Sequence, residues 1–242
     1  MAFHLPAGQA IKEHANPAWT IVLPRALQVT WDAGHRPASR VAGVIYPPQV
    51  AHRISGPVGH SSVFIDPWYV GLGSGHHRAI PLDLPVVEHV RDLWSPADEC
   101  DPDQRARETV QFLRRQAVLP QAVSIDPRVV AAMRYLVAAD CIEHVAGAVG
   151  LSPSRLRALI HDQTGTPPAR LRMWQRLRAA ILSLPATPIA LAAFDAGFAD
   201  QAHLTRTATR FVGLTPGELV QVLSKALDGY PDERPSRLVT AA

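Results

Sequence analysis

Residues 197–216 read "GFADQAHLTRTATRFVGLTP". A Gly–Phe pair precedes a polar helix start, then a run carrying Gln201, His203, Arg206 and Arg210, then a Gly–Leu–Thr–Pro stop. At helical spacing Leu204, Ala208 and Phe211 share one face, which suits a core. Ala202, His203, Arg206, Thr209 and Arg210 fall on the opposite face. A helix built only for a core has no use for that polar side. Asp200 stands at an N-cap position and Gly213 at a helix stop.

The same pattern occurs once more upstream. "IEHVAGAVGLSPSRLRALIHDQTGTPP" begins at Ile142 and "IALAAFDAGFADQAHLTRTATRFVGLTP" at Ile189. Ile142, Ala146, Gly150 and Leu151 return 47 residues later as Ile189, Ala193, Gly197 and Phe198. Leu156, Ile160 and Gly165 return 48 residues later as Leu204, Ala208 and Gly213. Each copy thus reads as a small-residue helix, a Gly turn closed by an apolar plug, a capping residue and a second helix. Ser152 with Pro153 starts that second helix in the first copy, and Asp200 caps it in the other. This is the pattern of a helix-turn-helix, whose second helix enters the DNA major groove. In the first copy Leu156, Leu159 and Ile160 face inward, while Ser154, Arg155, Arg157 and Ala158 face out. Arg on such a face can bind guanine with two hydrogen bonds. The candidate DNA-binding residues are therefore Ser154, Arg155, Arg157, Gln201, His203, Arg206 and Arg210.

Between the copies, "PPARLRMWQRLRAAILSLPAT" is predicted to form one long amphipathic helix, with Leu171, Trp174, Leu177, Ile181 and Leu182 apolar. Residues 155–178 hold six Arg against one acid, Asp162, a local excess that suits phosphate contact.

Residues 126–220 resemble the DNA-binding domain of the AraC/XylS family of bacterial transcription regulators. The segment at 197–216 is similar to the family's most distinctive signature, and the ordered pair of copies makes the resemblance specific. It implies seven helices with two helix-turn-helix units on a long central helix. The partner it implies is double-stranded DNA, with RNA polymerase added if the protein is an activator. Ser154 and Arg157, and His203 and Arg206, align with base-contacting positions of the family. Ala208 departs from a usual Phe, and Thr209 from a common Lys or Arg.

The first half is built differently. Residues 1–120 carry 11 Lys and Arg against 11 Asp and Glu, so the formal net charge of +3 comes from the remainder. Four of the five tryptophans and eight of the eleven histidines also lie there. Residues 18–73 read as short apolar runs broken by Gly and Pro, the spacing of strands joined by hairpins. Helices are predicted over 83–94 and 101–116. The fold class expected is α+β: a small N-terminal cupin-like β-barrel with helices, followed by an all-α double helix-turn-helix domain. The expected boundaries are 1–120 for an effector-sensing and dimerisation domain, 121–228 for the DNA-binding domain and 229–242 for a flexible tail. An N-terminal barrel that binds a small-molecule effector, with helices that pair into a homodimer, is what the resemblance implies for the first half. His14, Trp19, Trp31 and His52 are the candidate effector-binding residues.

His14, His35 and His52 also raise a different class, a metal-binding cupin enzyme tethered to a DNA-binding module. A metal cupin needs a paired His-x-His with a following Glu, and the chain offers only His14 in that place, so three convergent ligands cannot be assigned. No metal, cofactor or catalytic residue is assigned, and the reading is not an enzyme. The two cysteines lack metal-ligand spacing. No apolar run approaches the roughly 20 residues of a membrane span, and no signal peptide is evident, so a cytoplasmic location is expected.

Overall fold

The computed structural model describes the chain except residues 8–9, 25–28, 32–38, 55–58, 72–77, 96–100, 120, 122–123, 138–140 and 229–242, and describes the backbone alone in 29–31, 39–40 and 225–228. The tail expected at 229–242, together with His35, lies outside the described residues.

The short apolar runs of the first half form strands β1 (Ala2–Leu5), β2 (Ile11–His14), β3 (Trp19–Pro24), β4 (Val29–Trp31), β5 (Ser39–Val41), β6 (Gly43–Tyr46), β7 (His52–Ile54) and β8 (His60–Ile65). A short helix, α1 (Pro67–Val70), precedes β9 (Ile80–Leu82). Five strands make one sheet in the order β1-β8-β3-β6-β9, while β2 pairs with β7 and β4 with β5 as separate ribbons. Every pairing is antiparallel.

The expected barrel is corrected at this point: the described strands leave an open sheet with edges at β1 and β9. The reason is visible along β3, where side chains alternate between the two faces of the sheet. Trp19, Ile21 and Leu23 point to one side and join Ile45, Val63 and Ile65. That side is filled by α2 (Leu84–Leu93) and α3 (Pro102–Arg115) through Val87, Val90, Val110 and Leu113. The apolar stripes of both helices are thereby covered within one chain. Trp94 closes this layer by donating its indole N–H to the Thr109 hydroxyl at 2.9 Å. The other side of β3, with Val22, is the one a barrel would close with further strands. Here the β2–β7 ribbon, through Ile11, Ile54 and the His52 ring stacked on Tyr46, shares that side with helices of the second half.

Those helices are α4 (Pro127–Leu136), α5 (Ile142–Ala148), α6 (Pro153–Thr164), α7 (Pro168–Ser183), α8 (Ile189–Asp195), α9 (Gln201–Val212) and α10 (Pro216–Asp228). Seven helices is the number the resemblance implies. One core, built on Val129, Leu136, Ala146, Leu156, Ile160 and Leu171, joins α4, α5 and α6 to the start of α7, and Trp68 of α1 packs against it. A second core runs through Trp174, Leu177, Ala193, Leu204, Phe211 and Leu219, and continues without a break into Phe3, Leu5, Ile11, Val44 and Phe64 of the strands. Each such side chain contributes about 1.5–3 kcal/mol when buried. The seam at which the halves meet is therefore held as firmly as a domain interior.

Backbone hydrogen bonds reinforce the seam. The amide of Lys12 donates to the carbonyl of Gly213, and that of Ala15 to the carbonyl of Arg210, each at 3.2 Å. Strand β2 thus caps the C-terminal end of α9, where helix carbonyls otherwise lack partners. At the start of α10, Thr215 and Glu218 form a reciprocal capping box: the Glu218 carboxylate accepts the Thr215 amide at 2.6 Å, and the Thr215 hydroxyl accepts the Glu218 amide at 3.3 Å.

Candidate nucleic-acid interface

The two repeats fold alike at each position their sequences share. Gly150 and Gly197 follow α5 and α8 with φ of +66° and +76°, the left-handed conformation that a sharp turn out of a helix requires. The next residue closes each turn: Leu151 donates its amide to Ala146, and Phe198 to Ala193, both at 2.9 Å. Ala146 and Ala193 are fully buried, so the second helix of each unit can approach closely. Ser152 caps α6 by accepting the Arg155 amide at 3.3 Å, and Asp200 caps α9 by accepting the His203 amide at 2.6 Å. Each of these helices therefore starts where its sequence places an oxygen acceptor.

The faces of α6 and α9 match the sequence reading. Leu156, Leu159, Ile160, Leu204, Ala208 and Phe211 are buried, while Ser154, Arg155, Arg157, Gln201, Arg206 and Arg210 are exposed. His203 differs. It is half-buried, with its ring edge-on to Phe198 at 5.2 Å, so part of its surface braces the turn. Arg157 donates to Glu143 of α5 at 3.0 Å, with 52% and 55% of the two side chains exposed. An exposed pair of this kind is worth at most about 1 kcal/mol, so a phosphate or a base can replace the carboxylate. Sequence reasoning missed Glu143, which lies in the preceding helix, fourteen residues from its partner.

The arginines between the units do not all face outward, which corrects the reading of 155–178 as one phosphate-binding run. Arg170 lies over the Phe211 ring, with its guanidinium carbon 5.4 Å from the centroid. Arg176 donates to the Gly197 carbonyl at 2.9 Å and braces the second turn. Arg178 turns to the strand module, where the Asp66 carboxylate accepts its guanidinium N–H. A helical run of cations looks uniform in sequence; only packing divides it into braces and exposed charges.

The residues proposed to hold an effector separate in the same way. His14 and His52 are brought together as cross-strand partners of β2 and β7, with ring centroids 4.2 Å apart. Tyr46 stacks on His52 at 3.9 Å. Each histidine has Nδ1 2.9 Å from a backbone carbonyl two residues earlier, Lys12 or Val50. A carbonyl only accepts, so Nδ1 carries the proton and Nε2 keeps its lone pair. Burial pushes His52 down to about 3 and His60 to about 4, with the neighbouring His14 ring a second cause for both. His14 is lowered too, again by burial.

Trp19 does not join this group. It lies in the core against α2 and α3, on the opposite face of the sheet, because alternate residues of β3 point to opposite sides. The Trp31 side chain lies outside the described residues. Among the described residues, no group of three or more His, Cys, Asp or Glu is placed to hold a metal ion. Beside His14 the seam encloses a void of about 20 Å³, lined by Phe3, Leu5 and Phe64 of the strands and by Leu214 and Leu219 of the helices. No helix among the described residues is long and apolar enough to cross a membrane.

Comparison with known proteins agrees with this geometry. A helix-turn-helix domain family matches residues 145–221. The arabinose operon regulatory protein of Salmonella typhimurium is 37% identical over 116 residues, an alignment covering 44% of this chain and 41% of that protein. The chain therefore spans about two fifths of the length of this curated relative. ToxT from Vibrio cholerae has a similar fold over 92% of this chain and 97% of its own, with a TM-score of 0.58 at 8% identity. A further ToxT structure, described as bound to an unsaturated fatty acid, matches over 91% of this chain and 94% of its own, with a TM-score of 0.55 at 9% identity. The likeness extends to the two-part layout of a sheet-rich N-terminal region and a helical C-terminal domain. Residues 145–221 thus match a helix-turn-helix domain, the kind that the resemblance to AraC/XylS regulators implies.

Proposed function

We propose that the protein regulates transcription by reading DNA with α6 and α9, each placed in a successive stretch of major groove. The observation that carries this reading is the doubled unit itself. Both copies close their turns through a left-handed Gly and cap the second helix with an oxygen side chain, and both expose Arg and polar residues where a groove-reading helix needs them. Gln201, Arg206 and Arg210 on α9, with Ser154, Arg155 and Arg157 on α6, are the contact residues; His203 adds its exposed edge. The protein acts in the cytoplasm, and its partner is double-stranded DNA, with RNA polymerase a second partner if it activates.

The strand module is the place for small-molecule control. ToxT, which shares the fold, has been solved with a fatty acid, and the void beside His14 lies where strands and reading domain meet. At about 20 Å³ that void has room for roughly one water. An effector of larger size acts by parting β1 and β2 from α9 and α10. The tethered metal enzyme has no such support from the geometry of the histidines.

The test is selection of bound duplexes from a randomised library by the full chain. The enriched sequence should contain two half-sites about one helical turn, roughly 10 base pairs, apart. Arg206→Ala should weaken binding to it by about 1–3 kcal/mol and relax preference at one position. Unchanged affinity and unchanged preference would remove Arg206 from base reading.

A further inference from the structure

Asp66 stands just after β8 and forms the N-cap of α1, yet its carboxylate makes no capping hydrogen bond there. An Asp at that position ordinarily accepts from the first turn of its own helix. Here it is 7% exposed and reaches more than a hundred residues along the chain to α7. Its Oδ1 accepts the indole N–H of Trp174 at 3.1 Å, and its Oδ2 accepts from Arg178. Trp174 and Arg178 lie four residues apart, one above the other on the same face of the helix.

Trp174 is fully buried where three elements meet. Its ring lies 5.4 Å from Phe64 of β8 and 6.3 Å, edge-on, from Phe211 of α9. Phe211 carries Arg170 of α7 over its ring as well. Indole has a single N–H donor, so turning the ring would leave that donor buried without a partner. A buried ion pair adds little net stability compared with apolar residues of the same volume. What a pair of this kind supplies is a fixed orientation.

We propose that Asp66 is a positioning residue for DNA reading: by fixing the Trp174 indole, it makes the strand module set the pose of α9 relative to α6. This rests on the reading of α6 and α9 as groove-reading helices. The chain of contacts runs from β8 through Asp66 and Trp174 to Phe211, on the inner face of the second reading helix. The first unit has its own core and depends less on this node. A shift of β8 then changes the spacing of the reading helices rather than unfolding either one.

The experiment uses the full chain, with duplexes enriched by the wild-type protein from a randomised library. Three kinds of duplex are compared: both half-sites, the same two half-sites moved apart in single base-pair steps, and the first half-site alone. Asp66→Asn keeps the size and one acceptor but loses the charge; Trp174→Phe keeps a packed ring but loses the donor. Both variants should bind the single half-site as the wild type does. On the two-site duplex they should lose about tenfold, the scale set by one charge-assisted hydrogen bond, and discriminate less between spacings. Melting temperatures are recorded alongside. Wild-type affinity and spacing preference in both variants would overturn the proposal. So would an equal loss on all duplexes that follows the fall in melting temperature, since that marks a purely structural role. If the wild-type protein enriches no sequence, the DNA reading itself fails and this proposal falls with it.

Discussion

Gly213→Ala and Gly150→Ala introduce the same methyl group into nearly the same backbone conformation, with φ of +73° and +66°, but in opposite surroundings. At Gly150 an added Cβ meets nothing within 4 Å. At Gly213 it would stand 2.4 Å from Ile11 Cγ2, 2.5 Å from the Lys12 carbonyl oxygen and 2.9 Å from His14 Nδ1. The left-handed backbone costs an L-residue about 1–2 kcal/mol in both variants. Gly213→Ala adds about 1–3 kcal/mol of overpacking, because backbone is among the atoms it strikes. Relief requires β2 to withdraw, which threatens the Lys12 and Ala15 amide hydrogen bonds to α9, each worth about 1 kcal/mol. The excess of Gly213→Ala over Gly150→Ala should therefore be about 2–4 kcal/mol, or roughly 5–15 °C in melting temperature for a chain of this size. Thermal melting of the two variants beside the wild type measures it. Hydrogen exchange at Lys12 and Ala15 should accelerate only in Gly213→Ala. Equal costs for the two variants, with the two amides unchanged, would show that β2 is not seated on α9 in solution.

Two further outcomes follow from the seam and from the helices of the strand module. His52 and His60 are held neutral in the fold at about 3 and about 4, against an ordinary value near 6.5, so stability is fully present above that value and is lost as pH falls below it. Between pH 7.5 and pH 5 the unfolded chain takes up a proton at each that the folded chain refuses, about 2 kcal/mol apiece. Urea unfolding across that range should show the loss, and His52→Phe should reduce it, the rest staying with His60 and His14; a flat profile would refute the burial argument. Pairing of two subunits through α2 or α3 would have to uncover Val87, Val90 or Leu113, all buried against the sheet. The full chain should sediment as a monomer at micromolar concentration, and a dimer there would have to use a different face.

The C-terminal domain was legible because its determinants are local. Ser152, Asp200, Gly150 and Gly197 act on residues within one helical turn of themselves, so their spacing along the chain already states the geometry. The small Ala146 and Ala193 and the alternation of faces on α6 and α9 follow from the same 3.6-residue period. The strand module was legible only as strands. Whether a sheet closes depends on what covers its second face, and much of that cover comes from helices more than a hundred residues away in the chain. The sequence spacing of β1 to β9 carries no trace of it.

The same division runs through the candidate site. Sequence alone determined which helices are proposed to read DNA and which side chains they expose, because a helix sets its own faces. Tertiary structure decided which cations are free to do so. Arg176 and Arg178 lie on α7 within the same basic run, yet one is held by the turn at Gly197 and the other by Asp66 of a distant strand end. It likewise decided that His14 and His52 belong together and Trp19 does not, since the pairing of β2 with β7 and the two sides of β3 exist only once the sheet has formed. Local hydrogen bonds and helical periodicity are written in neighbouring residues. The partner of a buried carboxylate or the cover of a sheet face is a long-range choice, made when whole elements pack.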